Sequence, residues 1–171
     1  MATWQQKWQR LRAHWLHPRW RVQRHFPTAS LHQISLAVAA SEQQHGGQIR
    51  FVIESNWDTA ALLRNDDCRS RAWRWFADLG VWDTADNCGV LVYVSFADHR
   101  VEIVADRGIA ACVAEGEWQA VCDRMVADFR QQRYVPGLQN ALDEITAILA
   151  AQFPATGRAA ENHLDNEVVL R

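Results

Sequence analysis

No stretch of this 171-residue chain is apolar for long enough to span a bilayer, and its N-terminus lacks an apolar core followed by a cleavage site. Both absences point to a cytoplasmic protein without a transmembrane segment, at most peripheral to a membrane. Catalytic motifs are missing too. There is no GxGxxG, Walker loop or GxSxG, and no EF-hand spacing. The seven histidines, including His99 and His163, form no HxH or HExxH pattern, which argues against zinc. Four cysteines (Cys68, Cys88, Cys112, Cys122) lack metal-like spacing and read as reduced thiols. Internal repeats are absent. No acidic side chain occurs before Glu42.

That last absence splits the chain electrically. Lys7, Arg10, Arg12, Arg19, Arg21 and Arg24 give the segment before Glu42 a charge of +6, while the chain from Glu42 onward holds all 20 acids and the other 12 basic side chains, a net −8. A basic arm on an acidic domain can meet an anionic membrane, nucleic acid or an acidic partner, or fold back on its own domain. Trp4, Trp8, Leu11 and Trp15 recur at spacings of 4, 3 and 4, which predicts one apolar stripe on a helix that ends before Pro18. Burying tryptophans is worth on the order of 2 kcal/mol each, so this stripe is expected to pack on the parent domain, a protein partner or a membrane surface. A regular helical stripe suits packing better than base stacking, which argues against nucleic acid. Trp20 to Pro27 reads as a linker.

The remaining chain alternates helix and strand. A helix over Leu31 to His45, capped by Thr28 or Ser30, carries Leu31, Ile34 and Val38 inward and stops at Gly46-Gly47. Gln48 to Glu54 is a strand with Ile49, Phe51 and Ile53 on one face. A helix from Asp58 to about Leu79 follows, with Arg64, Arg69, Arg71 and Arg74 toward water. Asn87 to Gly108 then forms a hairpin. Its first strand, Val90 to Ser95, is apolar on both faces and hence central. Its second, Val101 to Ala105, alternates and lies nearer an edge. If the strands near 49 and 90 are neighbours, the helix between them makes the crossover and the pair is parallel. After a loop over Gly108 to Glu115, two helices close the domain, one with Trp118, Val121, Cys122, Met125 and Phe129 inward, the other with Leu138, Leu142, Ile145 and Leu149. Residues 1–27 are therefore a tryptophan-rich helix and linker, 28–153 the domain, and 154–171 a disordered polar tail.

Polar groups gather at one end of the hairpin. Asp83, Asp86 and Asp106, with Asn87, offer oxygen ligands for calcium or magnesium, or are ordinary loop residues. Arg107 beside Gly108 can contact a phosphate, or simply form a salt bridge at a turn. Cys88 reads as a buried structural thiol.

The ordered series from Leu31 to Phe153 resembles the TPM domain family, also called TPM phosphatase. It comprises the helix with Glu42 leading through Gly46-Gly47 to QIRFVIES, a helix ending in ADLGVWDTADN, the segment GVLVYVSFADHRVEIVADRGI, the helix with Trp118 and Phe129, and the turn Tyr134 to Leu138. Asp86, Asn87 and Asp106 match the polar entrance and exit of the family hairpin and Asp98 its turn; Cys88 separates the usual asparagine–glycine pair. The resemblance implies an α/β fold, with a roughly four-stranded mixed sheet, helices on both faces and the N-terminal amphipathic helix as an addition. It also implies a choice of function. Family members are linked to membrane-associated accessory roles, to divalent cation binding and to acid phosphatase activity. The leading expectation is an interaction module with a membrane or membrane-associated partner. The alternative is a cation-dependent phosphomonoester hydrolase using Asp83, Asp86, Asp106 and Arg107.

Overall fold

The computed structural model describes residues 4–64, 66–84, 86–155 and 164–171. In chain order the elements are α1 (Trp4–Trp15), α2 (Arg19–Gln23), α3 (Thr28–Ser41), β1 (Gln48–Glu54), α4 (Thr59–Arg64), α5 (Cys68–Asp78), β2 (Gly89–Ser95), β3 (Arg100–Ala105), α6 (Arg107–Ala110), α7 (Glu115–Arg130), α8 (Tyr134–Gln152) and β4 (Val169–Leu170).

The strands form one mixed sheet in the order β3-β2-β1-β4. β1 and β2 are parallel with Gln48 opposite Gly89 and Glu54 opposite Ser95, so the expected crossover holds. β2 and β3 are the antiparallel hairpin, with Val90 opposite Ala105 and Ser95 opposite Arg100. Every residue of β1 and β2 is buried, as two-faced central strands require. Strand side chains alternate between faces and so feed two cores. Ile49, Phe51, Ile53, Val90, Val92, Val94, Val101 and Ile103 pack with Ile34 and Val38 of α3, Val121 and Met125 of α7, and Leu138, Leu142 and Ile145 of α8. Val52, Leu91, Tyr93 and Val104 face Cys68, Ala72 and Phe76 of α5. Helices thus cover both faces.

Four local expectations need correction. The segment Trp20 to Pro27 is not a plain linker: α2 forms within it, and Val22 and Phe26 are buried in the larger core. Val22 reaches the core from α2 and Phe26 from the bend just after it, and together they tie the segment to the domain. Pro27, rather than Thr28 or Ser30, occupies the N-cap of α3, with no side-chain cap bond. The helix expected over 58–79 is broken in two. Asp58 Oδ1 accepts from the Ala61 N–H at 2.8 Å, and Asp67 Oδ1 accepts from the Ser70 N–H at 2.7 Å. Two good N-caps in one segment start two helices. Finally, within residues 164–171, expected in a disordered tail, Val169–Leu170 pair with β1 as β4 instead. Val169 lies opposite Val52 and Leu170 opposite Ile53, in parallel, and Leu164 and Leu170 are buried. The short apolar run Val168–Leu170 satisfies the free edge of β1, which would otherwise expose unpaired backbone groups. Residues 156–163, and His163 with them, lie outside the described residues.

Candidate functional site

Glu54 ends β1 deep inside the protein, yet its carboxylate is fully engaged. Arg71 of α5 donates from Nε to Oε2 at 3.0 Å and from Nη2 to Oε1 at 2.5 Å. Trp75 Nε1 donates to Oε2 at 3.1 Å and the Tyr93 hydroxyl at 2.5 Å. Tyr93 in turn accepts from Trp57 Nε1 at 2.9 Å. Hydrogen bonding to Glu54 pushes the Arg71 guanidinium up, and burial followed by the Glu54 charge pushes the Tyr93 phenol up. Arg71, expected to face water, is drawn inward because Glu54 cannot be buried without a cationic partner.

Trp57 carries this network to the N-terminal arm. Its indole forms a small cluster with Leu11 of α1 and Ala61 and Leu62 of α4. The Arg10 guanidinium lies 4.4 Å from the ring centroid and that of Arg71 5.7 Å. The Trp57 backbone N–H donates to His14 Nδ1 at 2.9 Å, so the ring proton sits on Nε2, which donates to Asp98 Oδ1 at 3.1 Å. Asp98 also accepts from Arg10 Nε and Nη2, each at 2.9 Å, and from Ser95 Oγ at 3.2 Å. Arg10 Nη1 finishes on the Asp66 carbonyl at 2.8 Å. Burial alone would raise the Asp98 carboxyl, but the bonds from His14 and Arg10 outweigh it and hold it well below the usual carboxylate range.

This latch fixes the rotation of α1 and overturns the expected inward stripe. Arg10, Leu11 and His14 face the domain. Of the predicted four, only Leu11 is buried; Trp4, Trp8 and Trp15 are 75%, 55% and 63% exposed. The physical reason is directional. His14 and Arg10 each satisfy several bonds in one geometry only, and Asp98 and the Trp57 backbone supply the partners on that flank of α1. The sequence signal was the Arg10–Leu11–His14 spacing, a second stripe beside the aromatic one, but its acceptor is 84 to 88 residues away.

The other predicted residues sit at the opposite end of the hairpin. Backbone pairing brings its entrance and exit together: Asp106 N–H donates to the Gly89 carbonyl at 2.8 Å and Gly108 N–H to the Asn87 carbonyl at 3.0 Å. A Cβ on Gly108 would stand 2.4 Å from the Asp86 carbonyl oxygen, so only glycine permits this approach. The carboxylates nevertheless do not converge. Asp83 and Asp86 are exposed, Asp106 caps α6 by accepting from the Arg107 N–H at 2.7 Å, and among the described residues no group of three His, Cys, Asp or Glu side chains is placed to hold a metal ion. Asp106 Oδ2 is buried and has no hydrogen-bond partner among the described residues. Arg107 is exposed and donates from Nε to Asn87 Oδ1 at 2.8 Å, and among the described residues it forms no salt bridge. Cys88 is buried, its N–H bonded to Thr84 Oγ1, and desolvation pushes its thiol up, as an inert structural cysteine requires.

The fold has known counterparts. The chain is similar to the BA42 protein of the psychrophilic bacterium Bizionia argentinensis, solved by NMR, with a TM-score of 0.71 and 25% identity over 83% of this chain and 92% of that one. The N-terminal domain of a protein from P. gingivalis shares the fold alone, with a TM-score of 0.55 and 18% identity over 68% of this chain and 71% of that one. No curated protein matches the sequence. The family model of the TPM domain matches residues 25–148, from the core-anchoring end of the arm through most of α8, and the chain belongs to the TPM domain family.

Proposed function

We propose that this TPM-domain protein is an interaction module whose arm presents an aromatic, basic face to a partner. The observation that carries this reading is the outward rotation of α1: Trp4, Trp8 and Trp15 are held in water by a latch that engages the adjacent flank of the same helix through Arg10 and His14. Large apolar side chains scattered singly are ordinary, but a row of indoles on one rigid helix is the kind of surface that marks a binding site. A cytoplasmic setting suits the four free thiols. The direct test is co-isolation from extract with the full chain and with Trp8→Ser, Trp15→Ser. A partner or membrane fraction retained by the wild type and lost with the double variant is the expected result. Equal retention by both would remove the arm face from the reading.

A second reading, a calcium- or magnesium-dependent acid phosphatase-like hydrolase, is favoured by one feature, the unpartnered buried Oδ2 of Asp106. The donor set as it stands does not fit a hard cation, because one carboxylate oxygen is far short of the six or more oxygens calcium takes. The expected outcome is therefore flat turnover on a panel of small phosphomonoesters, with or without calcium, magnesium or manganese. Metal-dependent turnover that disappears in a folded Asp86→Ala, Asp106→Ala variant would replace the interaction reading with the enzymatic one.

A further inference from the structure

The outward face of the arm extends beyond α1. Leu16 is 56% exposed and Trp20 of α2 is 59% exposed, so four indoles and a leucine stand in water between Trp4 and Trp20. Along the same stretch and just past it Arg12, Arg19, Arg21 and Arg24 are exposed, and among the described residues none of the four is in an ion pair. The Arg24 guanidinium lies 5.1 Å from the Trp20 ring centroid, and Arg21 Nη1 donates to the Leu16 carbonyl at 3.1 Å. The sequence before Glu42 supplies no acid to neutralise them.

The two helices are also fixed in place. α1 is held by Arg10 and His14 on Asp98, and α2 by Val22 and, just beyond it, Phe26 in the larger core. The pair is a platform on the outside of the domain rather than a free peptide. Its apolar groups cannot turn inward without breaking one anchor or the other.

The distribution of charge selects what covers this face. Four arginines interleaved along the sequence with the tryptophans have no ion-pair partner among the described residues, and the segment before Glu42 holds no acid, so the occupant of this face has to bring the negative charge. Tryptophan and arginine mixed at this density suit the headgroup layer of a bilayer, where indoles sit at the boundary and guanidinium groups meet lipid phosphates. Among the described residues no helix is long and apolar enough to cross a membrane, so attachment is to a surface.

We infer that the outward face of α1 and α2 is a peripheral membrane-binding surface for anionic phospholipid, with Trp4, Trp8, Trp15 and Trp20 at headgroup level and Arg12, Arg19, Arg21 and Arg24 on lipid phosphates. This rests on the interaction reading and specifies its occupant.

The test is cosedimentation of the full chain with vesicles of phosphatidylcholine alone and of phosphatidylcholine with about one-third phosphatidylglycerol, in about 0.1 M salt. Binding is expected to the anionic vesicles and not to the neutral ones, with a blue shift of tryptophan emission. Arg12→Glu, Arg21→Glu should weaken it roughly 25-fold or more, from about fivefold per basic charge at an anionic surface. Trp8→Ser, Trp15→Ser should weaken it about tenfold or more. Neither pair touches the latch, so circular dichroism and the melting temperature should match the wild type. Absence of binding to the anionic vesicles, or equal binding by wild type and both variants, would overturn the inference. If vesicles fail while a protein co-isolated from extract still depends on Trp8 and Trp15, the membrane assignment falls and the interaction reading stands.

Discussion

Replacing Glu54 with alanine is expected to destabilise the domain by about 4 kcal/mol, seen as a lower midpoint in urea at unchanged m-value. At this chain length that corresponds to a melting temperature lower by roughly 10 °C. The size follows from what is left behind. Arg71 loses its nearest carboxylate in a half-buried position, and Tyr93 and Trp75 lose their acceptor. The Asp58 carboxylate stands 3.7 Å from Arg71 Nη1 but is itself largely exposed, so it compensates little. Glu54→Gln keeps one carbonyl oxygen for Tyr93 and Trp75 and should cost about half as much. Adding Arg71→Leu to Glu54→Gln should recover part of that loss, because the uncompensated cation carries much of the cost rather than the missing attraction. A loss under about 1 kcal/mol for Glu54→Ala would show that the network contributes little beyond filling space. A double variant no better than Glu54→Gln alone would show that Arg71 is not the group left stranded.

The prominence of Glu54 was not legible in the sequence, and the reason is specific. It reads as the polar residue closing an apolar strand, and Arg71 as one of four arginines on a wet helix face. Nothing in the local pattern distinguishes Arg71 from Arg64 or Arg74, which do lie at the surface. Only the register of β1 against β2, which sets Glu54 opposite Ser95 and two places beyond the Tyr93 pairing with Val52, brings the carboxylate under the phenol. By contrast, the strands and α7 were plain, since a period of two in Val101–Ala105 and of 3.6 over Trp118–Phe129 each allows one buried face. The arm shows how the same logic misleads. The aromatic spacing in α1 correctly gave a helix and one shared face, but amphipathicity says that a face is apolar and not that it is inward. His14 and Arg10 decided the rotation, through an aspartate in a distant turn. The candidate metal residues illustrate a related limit. Antiparallel pairing did bring Asp86 near Gly108, yet backbone proximity leaves side-chain direction free, and Asp106 turns to cap α6.

Asp98→Ala should release α1 from the domain. His14 is wholly buried and Arg10 partly so, and removing their shared carboxylate leaves both without an anionic partner, a loss of about 3 kcal/mol. The opening should stay local. Val22 and Phe26 hold α2 in the main core, so detachment is expected to stop near Pro18. Trypsin cleavage at Arg12 should then quicken roughly 100-fold, since about 1.4 kcal/mol corresponds to tenfold in the open population. The same carboxylate gives a pH dependence of known sign. Its folded pKa lies below the unfolded value, so its contribution is complete above about pH 4 and is lost as pH falls through the folded pKa. Wild-type arm protection should therefore hold to about pH 4 and decline below it, while Asp98→Ala shows no such step. Other buried groups add slopes of their own. Burial lowers His45, which costs stability as pH falls below about 6.5, and raises Glu42, which acts in the opposite direction. Both lie away from the arm, on the α3–β1 connection, and are common to the two proteins, so the difference between wild type and variant isolates the latch. Equal arm protection in both proteins across roughly pH 3 to 7, read by amide hydrogen exchange along α1, would mean that Asp98 does not hold α1, and that the outward set of the tryptophans has another cause.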